Sequence, residues 1–196
     1  QEDAWRRDFT VNALYYNIDD FSIVDYTGGW ADMKQRKLRF IGDASERAEQ
    51  DPVRLLRALR FAAKLNLEID NELQLVLNNE DGLVLNISPP RLLYEFEKIF
   101  CTGYALPTFN KLIEFGYLQY FLSPECIALV TQDGSAGHEL VITTLENCDN
   151  RYKENKHLNL GFVLAVFLWP VLQEYLSNAN FEKRRLHQVL HSSMTD

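Results

Sequence analysis

The sequence predicts a mainly α-helical fold with a small β element near its amino-terminal end, so that the class is α+β overall. Of the 196 residues, 46% are hydrophobic and 24% are charged, which is an ordinary globular composition and excludes a disordered or low-complexity chain. β-prone runs are confined to residues 1–42. From residue 43 onward, apolar residues recur at the spacing of helices.

The β element is expected within residues 10–42. Two β-prone runs, residues 14–16 and 21–26, flank the polar stretch 17–20, and this pattern predicts a hairpin. A Gly28–Gly29 turn follows the second run. Residues 37–41 then alternate polar and apolar side chains, which predicts another short strand.

A helix is predicted to begin at Asp51 and Pro52, with the aspartate as amino-terminal cap and the proline in the first helical position. At 100° per residue its apolar side chains share one stripe and its basic side chains lie opposite. The apolar stripe contains Leu55, Leu56, Leu59, Ala62 and Ala63, and the basic face contains Arg54, Arg57, Arg60 and Lys64. Several guanidiniums near a helix amino terminus favour a surface that reads phosphates or bases. The alternative is a solvated helix face.

Further helices are predicted after Ser88 and over residues 108–115, 140–148 and 159–176, with an exposed loop at 132–137. The apolar run 160–172 is shorter than the about 20 residues that a bilayer requires, so we expect a buried core helix and no membrane span. Aromatic residues at helical spacing favour a core over a base-stacking strip. They are Phe96, Phe100, Tyr104, Phe109, Phe115, Tyr117, Tyr120 and Phe121.

Several kinds of site find no support in the sequence. Three scattered cysteines do not form a disulfide framework or a zinc site, and they favour a reducing, cytoplasmic location. The histidines have no nucleophile motif near them. His187 and His191 are four residues apart, where a solvated helix face is favoured over a metal site. There is no glycine-rich phosphate loop and no Asp-x-Asp pair.

The charge distribution points to an anion site. The net charge is −8, yet residues 34–64 contain nine basic and four acidic side chains. An acidic protein with one basic stripe is typical of a focused anion site rather than of general nucleic-acid binding. The chain begins Gln-Glu-Asp, without an initiator methionine or an apolar leader, so we expect no signal peptide and an internal piece of a longer protein.

Four motifs in order carry a family resemblance. Residues 5–14, WRRDFTVNAL, resemble the RRDFTxNAL motif of class II nucleotidyltransferases, namely the bacterial poly(A) polymerases and the tRNA CCA-adding enzymes. Residues 25–29, 39–43 and 51–65 resemble the motifs that follow it. The segments 12–16, 87–92 and 103–104 resemble specifically the bacterial poly(A) polymerase branch.

The resemblance implies three segments: the end of a nucleotidyltransferase head (1–42), a neck with nucleotide-reading and RNA-binding helices (43–130), and a helical body (131–196). It implies template-independent addition of AMP from ATP to RNA 3′ ends. Two Mg²⁺ ions would be bound by an upstream Asp-x-Asp pair, so the chain alone is expected to be inactive. RNA 3′ ends and ATP are the implied partners, and RNA-decay proteins are further candidates.

The resemblance also implies roles for individual residues. Asp8 is counted with the active site as its catalytic carboxylate. The nucleotide-binding residues are Arg7, Asp51, Arg54, Arg57 and Arg60, and no metal ligand is assigned. Asp51 and Arg54 would form a template for a base edge, because a carboxylate accepts from the adenine amino group while a guanidinium donates to a ring nitrogen. A purely structural role for Asp8 would be a capping carboxylate paired with Arg6 or Arg7.

The family's acidic residue before Asp51 is Gln50 here, so the salt bridge of that carboxylate is expected to be missing. Two other functions remain open. A CCA-adding enzyme shares the nucleotide-reading helix and would differ in its product. A non-catalytic helical RNA-binding module would have no affinity for ATP.

Overall fold

A computed structural model of the chain describes residues 1–79 and 81–178. The amino-terminal part contains α1 (Glu2–Arg6), β1 (Leu14–Tyr16), β2 (Ile23–Asp25), α2 (Gly29–Gln35) and β3 (Lys37–Leu38). The remainder contains α3 (Ala44–Gln50), α4 (Val53–Leu65), β4 (Glu68–Ile69), α5 (Asn71–Asn79), α6 (Pro89–Phe100), α7 (Ala105–Glu114), α8 (Pro124–Thr131), α9 (Ala136–Lys153) and α10 (Leu160–Asn178). The predicted mainly α-helical class with a small β element is confirmed.

The strands form two small sheets. β1 and β2 pair antiparallel, with Leu14 opposite Asp25, so the predicted hairpin is confirmed. β3 pairs in parallel with β4, which lies beyond α4 in the sequence. Of the predicted strand 37–41, only the first two residues belong to β3, and Phe40 forms a separate bridge with Phe9. Phe9 and Phe40 also stack, with ring centroids 5.1 Å apart.

Helix α2 lies where the sequence predicted only strands and turns, and Asp25 explains it. The Asp25 carboxylate accepts hydrogen bonds from four successive backbone N–H groups, at residues 27 to 30. Burial raises the pKa of Asp25, but the four donors outweigh burial and the net effect lowers the pKa. Gly28 occupies a left-handed conformation with φ +85°. A Cβ on Gly29 would lie 2.1 Å from the backbone oxygen of Thr10, so only glycine fits there.

Helix α4 lies at the centre of the core and packs against α3, α6 and α7. Four of the five predicted apolar positions are buried, namely Leu55, Leu56, Leu59 and Ala62. Ala63 is only partly buried, because it lies at the edge of the apolar stripe. One hydrophobic core extends from Phe9 to Phe167 and so includes residues of all three predicted segments. The boundaries at 42 and 130 stay predictions.

The aromatic side chains mostly form core, as expected. Phe96, Phe100 and Phe109 pack around Phe167 of α10, with ring centroids 5.0 to 6.0 Å from the Phe167 ring. Tyr104 is the exception, because 37% of its surface is exposed.

The prediction of a buried core helix is right for one face of α10 and wrong for the other. Val163, Val166 and Phe167 are buried, whereas Phe162 and Trp169 are 59% and 46% exposed. Residues 160–177 are long and apolar enough to cross a membrane, but the same is true of core helices in soluble proteins. The predicted loop 132–137 is shorter than expected, because α9 already begins at Ala136.

All three cysteines are free thiols. Burial raises the pKa of both Cys101 and Cys126 to about 11, which keeps these thiols protonated and unreactive near neutral pH. His187 and His191, the pair considered as metal ligands, lie outside the described residues.

Candidate functional site

Asp8 reaches α4 because its segment runs beside residues 39–41. The Asp8 backbone oxygen accepts from Ile41 N at 3.0 Å, and Thr10 N donates to Arg39 O at 3.1 Å. These contacts place the Asp8 carboxylate at the first turns of α4. There its Oδ1 lies 3.2 Å from Arg54 Nε and its Oδ2 lies 2.6 Å from Arg57 Nη2.

One carboxylate therefore orients two guanidiniums of the predicted nucleotide-reading face. The side chains of Asp8 and Arg54 are only 15% and 13% exposed, whereas Arg57 is 35% exposed. The partners considered for a structural role of Asp8, Arg6 and Arg7, are not the ones observed. Charged hydrogen bonds in such a partly buried setting are stronger and more directional than surface ion pairs.

Arg47 of α3 is a member of this cluster that sequence reasoning did not single out. Its Nη2 donates to the backbone oxygen of Arg7, and its own backbone oxygen accepts from Arg54 Nη1 at 2.8 Å. Burial, with a smaller contribution from the Arg54 charge, lowers the pKa of Arg47. Arg47 thus joins the Asp8 segment to α4. The only sequence signal was its place in the basic stripe.

Gln50, at the position where the resemblance implies an acidic residue, takes part in this network. Its Oε1 accepts from Arg47 Nη1 at 3.1 Å and from Arg54 Nη1 at 3.4 Å. An amide oxygen therefore accepts two hydrogen bonds from guanidiniums while adding no negative charge. The salt bridge is missing as expected, and two hydrogen bonds from charged guanidiniums to a neutral amide oxygen stand in its place.

Asp51 does not cap α4, contrary to the prediction. The capping position is held by Pro52, and no side chain bonds to the first backbone N–H groups there. Both oxygens of the Asp51 carboxylate instead lie 3.0 Å from Nη2 of Arg91 on α6. Because a carboxylate has about four lone-pair sites, Asp51 can accept a further hydrogen bond while it is paired.

Arg60 was expected on the basic face as a partly exposed cation, but its side chain is largely covered. Its side chain is only 12% exposed and lies beside Glu95 of α6, with Arg60 Nε 3.6 Å from Glu95 Oε2. Glu95 is almost fully buried, and burial raises its pKa above the ordinary value. Burial likewise lowers the pKa of Arg60. The physical reason is that α6 covers this turn of α4.

Arg7 makes its side-chain contacts within the amino-terminal segment rather than with α4. Its guanidinium donates to Asp3 Oδ2 at 3.2 Å, to the Tyr15 hydroxyl at 3.2 Å and to the Asn12 backbone oxygen at 3.0 Å. The structure therefore brings Asp8, Arg54 and Arg57 together, while Arg7 joins that cluster only through its backbone oxygen.

No group of three or more histidine, cysteine, aspartate or glutamate side chains within residues 1–79 and 81–178 is arranged to hold a metal ion. The Asp8 carboxylate is already shared by two arginines. The guanidiniums of Arg54 and Arg57 that it orients could donate to an anion or to a base edge, because guanidiniums bind phosphates in pairs and read base edges.

Two family models match parts of the chain. The model described as "Poly A polymerase head domain" matches residues 1–39, and the model described as "Probable RNA and SrmB- binding site of polymerase A" matches residues 66–129. The first covers Asp8, and the second covers α5 to most of α8. Helix α4 lies between the two matches.

Individual proteins resemble the chain over different lengths. Poly(A) polymerase I of Salmonella typhi is 39% identical over 175 residues, which is 89% of this chain and 37% of that protein. The CCA-adding enzyme of Streptococcus mutans is 37% identical over 113 residues, which is 58% of this chain and 28% of that enzyme. The chain thus spans less than half the length of these relatives.

A solved structure shares the fold. The CCA-adding enzyme of Thermotoga maritima, solved in complex with tRNA, superimposes with a TM-score of 0.62 at 23% identity. The match covers 98% of this chain and 48% of that enzyme. At this identity the likeness establishes the fold alone.

Proposed function

The chain belongs to the family of poly(A) polymerases and CCA-adding enzymes, and on that premise we propose that it acts within a poly(A) polymerase, adding AMP from ATP to RNA 3′ ends without a template. Its own part in that reaction would be to select the nucleotide and to bind the RNA. The location we propose is cytoplasmic, where free thiols such as these persist.

The observation that carries the choice of poly(A) polymerase is the extent of the two resemblances. The poly(A) polymerase I proteins match 89% to 100% of the chain at 36% to 39% identity. The CCA-adding enzymes match 50% to 64% of it at similar identity. The part of the chain that these CCA-adding enzymes do not match is nevertheless matched by the poly(A) polymerases, and this favours the polymerase branch.

Nucleotide selection is proposed for the first turns of α4. Arg54 is held by Asp8 and by the Arg47 backbone, so its guanidinium is fixed before a nucleotide arrives. Asp51, three residues before Arg54, retains acceptor capacity while it is paired with Arg91. Asp51 and Arg54 together would read the adenine edge, with the carboxylate as acceptor and the guanidinium as donor. Arg57, the more exposed of the two partners of Asp8, would contact phosphate or sugar.

We propose that the reaction requires Mg²⁺ and that residues outside this sequence hold the ions. In the proposed reaction Mg²⁺ would stabilise charge on the phosphates, and an Asp-x-Asp pair that this sequence lacks would hold it. Asp8 would act by orienting Arg54 and Arg57. We therefore propose that the chain alone does not extend an oligo(A) primer when ATP and Mg²⁺ are supplied.

The test uses the longer protein, meaning this sequence together with the segments that bring it to the length of its relatives. It is given ATP, CTP and Mg²⁺ with either oligo(A) or a tRNA lacking its CCA end. The proposal predicts a long AMP tail on oligo(A) and little CMP incorporation. Addition that stops after C, C and A on the tRNA would establish the CCA-adding alternative. No incorporation and no ATP binding would favour the RNA-binding module.

A further inference from the structure

Two tyrosines on the surface of the helical part each carry a lysine ammonium over the ring. Tyr94 of α6 is 55% exposed, and Lys98 Nζ lies 5.0 Å from its ring centroid. Tyr104, just before α7, is 37% exposed, and Lys64 Nζ of α4 lies 5.7 Å from its ring centroid. We call these two pairs the tyrosine–lysine platform.

The platform continues the basic side of α4. Lys64 is ten residues after Arg54, which is about 15 Å along a helix. Helix α6 lies beside α4, because Arg91 contacts Asp51 and Glu95 contacts Arg60. Tyr94 is therefore carried by a helix that packs on α4, and Tyr104 lies against Lys64 in the last turn of α4.

The backbone that carries Tyr104 is held rigidly although its ring is exposed. Gly103 has φ +86°, and a Cβ there would lie 2.2 Å from the ring of Tyr152, so the turn requires glycine. The buried carboxylate of Asp149 accepts from Ala105 N at 2.6 Å and caps the start of α7. A fixed backbone beneath an exposed ring lowers the entropy lost when a base stacks on it.

We propose that the tyrosine–lysine platform binds the RNA strand upstream of its 3′ end, with bases stacked on Tyr94 and Tyr104 and phosphates beside Lys64 and Lys98. Aromatic rings next to cations are how proteins hold single strands without reading their sequence. The direction of the RNA strand rests on the proposed function, whereas the stacking and phosphate contacts do not depend on it. A tailing enzyme needs such sequence-tolerant binding, because its product grows.

The alternative is that each lysine merely stabilises its tyrosine ring locally. A cation over an exposed ring makes a small contribution to folding, and such pairs are common on protein surfaces. Under that alternative, removing a ring would change the thermal melt slightly and would leave RNA binding unchanged.

The experiment measures binding of fluorescent oligo(A) of about 12 nucleotides, a length within the usual range of single-strand sites, to the 196-residue chain by anisotropy. Tyr94→Ala and Tyr104→Ala are each expected to weaken binding about 5- to 100-fold, whereas Tyr94→Phe and Tyr104→Phe keep the stacking and stay within about threefold. Tyr16→Ala is the matched control, because Tyr16 is 62% exposed but lies on the hairpin.

Salt dependence supplies the second readout. Lys64→Gln and Lys98→Gln should each reduce the slope of log K against log salt by about one, while Lys156→Gln, an exposed control, should not. Unchanged oligo(A) affinity in both tyrosine-to-alanine variants overturns the proposal, as does a failure of the unaltered chain to bind oligo(A). Loss of ATP selectivity in the longer protein would instead contradict the proposed function and leave these binding results standing.

Discussion

The carboxylate of Asp8 lies 2.6 Å from Nη2 of Arg57, so a residue that precedes the β hairpin is ionically bonded to helix α4. Its other oxygen is 3.2 Å from Arg54 Nε. The cluster is therefore a joint between the amino-terminal part and the helical part. A substitution of Asp8 should disturb the orientation of both arginines at once. We expect it to affect both the activity of the longer protein and the folding stability of the chain.

Asp8→Ala is expected to lower the turnover of the longer protein at least about 100-fold, because charge that is organised at a phosphoryl-transfer site is lost. Asp8→Asn should retain part of the folding stability through hydrogen bonds, but not the activity. Turnover and thermal melts of both variants make the measurement. Glu114→Gln, which breaks an exposed ion pair with Lys111, serves as the control. A fully active Asp8→Ala would remove Asp8 from the site.

Arg47→Lys is expected to reduce kcat/KM about tenfold or more, because an ammonium cannot bond the Arg7 backbone oxygen and Gln50 with a guanidinium's geometry. Arg151→Lys is the matched control, since Arg151 also donates to a backbone oxygen, that of His157. Steady-state kinetics of the longer protein and thermal melts of the chain are compared. Equal effects of the two substitutions would show that Arg47 has no special positioning role.

Because Arg60 is paired with Glu95, the structure predicts a larger loss of stability for Arg60→Ala than the sequence alone does. From its place on the basic face, Arg60→Ala would be expected to cost about 0–1 kcal/mol. In the structure, however, Arg60→Ala leaves the buried Glu95 carboxylate without its partner. We therefore expect the free energy of unfolding to fall by about 3–5 kcal/mol near neutral pH. Leu59→Ala, a cavity in the same helix, should cost about 2–5 kcal/mol.

The pH dependence separates the two losses. Burial raises the folded-state pKa of Glu95 above its ordinary 4.5, and removing Arg60 raises that pKa further. The folded variant then binds more protons than the unfolded chain, so its stability falls as pH rises from about 4.5, by up to about 1.4 kcal/mol per pH unit. Chemical denaturation at pH 5 and pH 7 should show this extra loss for Arg60→Ala relative to the unaltered chain. Leu59→Ala should not show it, and adding Glu95→Gln to Arg60→Ala should abolish it. A pH-independent loss in Arg60→Ala would contradict the pairing.

Gly29→Ala is expected to destabilise the chain by about 1–3 kcal/mol or more, because the new Cβ would lie 2.1 Å from a backbone oxygen that cannot move aside easily. Gly82→Ala is the matched control, since a Cβ there meets nothing within 4 Å. Its effect should stay within about 0.5 kcal/mol. The free energy of unfolding of both variants, measured in urea, makes the comparison. Equal stability of the two variants would contradict the close approach of Thr10 to α2.

Local patterns predicted those elements whose residues decide their own conformation. The hairpin, the buried stripe of α4 and the aromatic core around Phe167 all follow from spacing in the sequence. Helix α2 was not predicted, because its start depends on Asp25, which lies in the preceding strand. The parallel pairing of β3 with β4 was also missed, since strands of two residues leave almost no periodic signal.

The candidate site, too, could be predicted from the sequence only in part. Motif resemblance placed Asp8, Arg54 and Arg57 in one site, but not the contacts that join them. The partners on other elements, Arg47 and Arg91, could not be identified from spacing, because pairing across helices depends on how the helices pack. Glu95 is the clearest case, since an acidic residue on an amphipathic helix normally indicates a solvated position.

If the first turns of α4 read adenine, substitutions there should change the choice between ATP and CTP. In the longer protein, the ratio of kcat/KM for ATP to that for CTP is measured for the unaltered protein, Arg54→Ala and Arg57→Ala. We predict that Arg54→Ala lowers the ratio about 5- to 150-fold, because a bidentate base contact contributes about 1–3 kcal/mol of discrimination. Arg57→Ala should raise KM for both nucleotides and leave the ratio unchanged. An unchanged ratio in Arg54→Ala would contradict the claim that this helix selects the nucleotide.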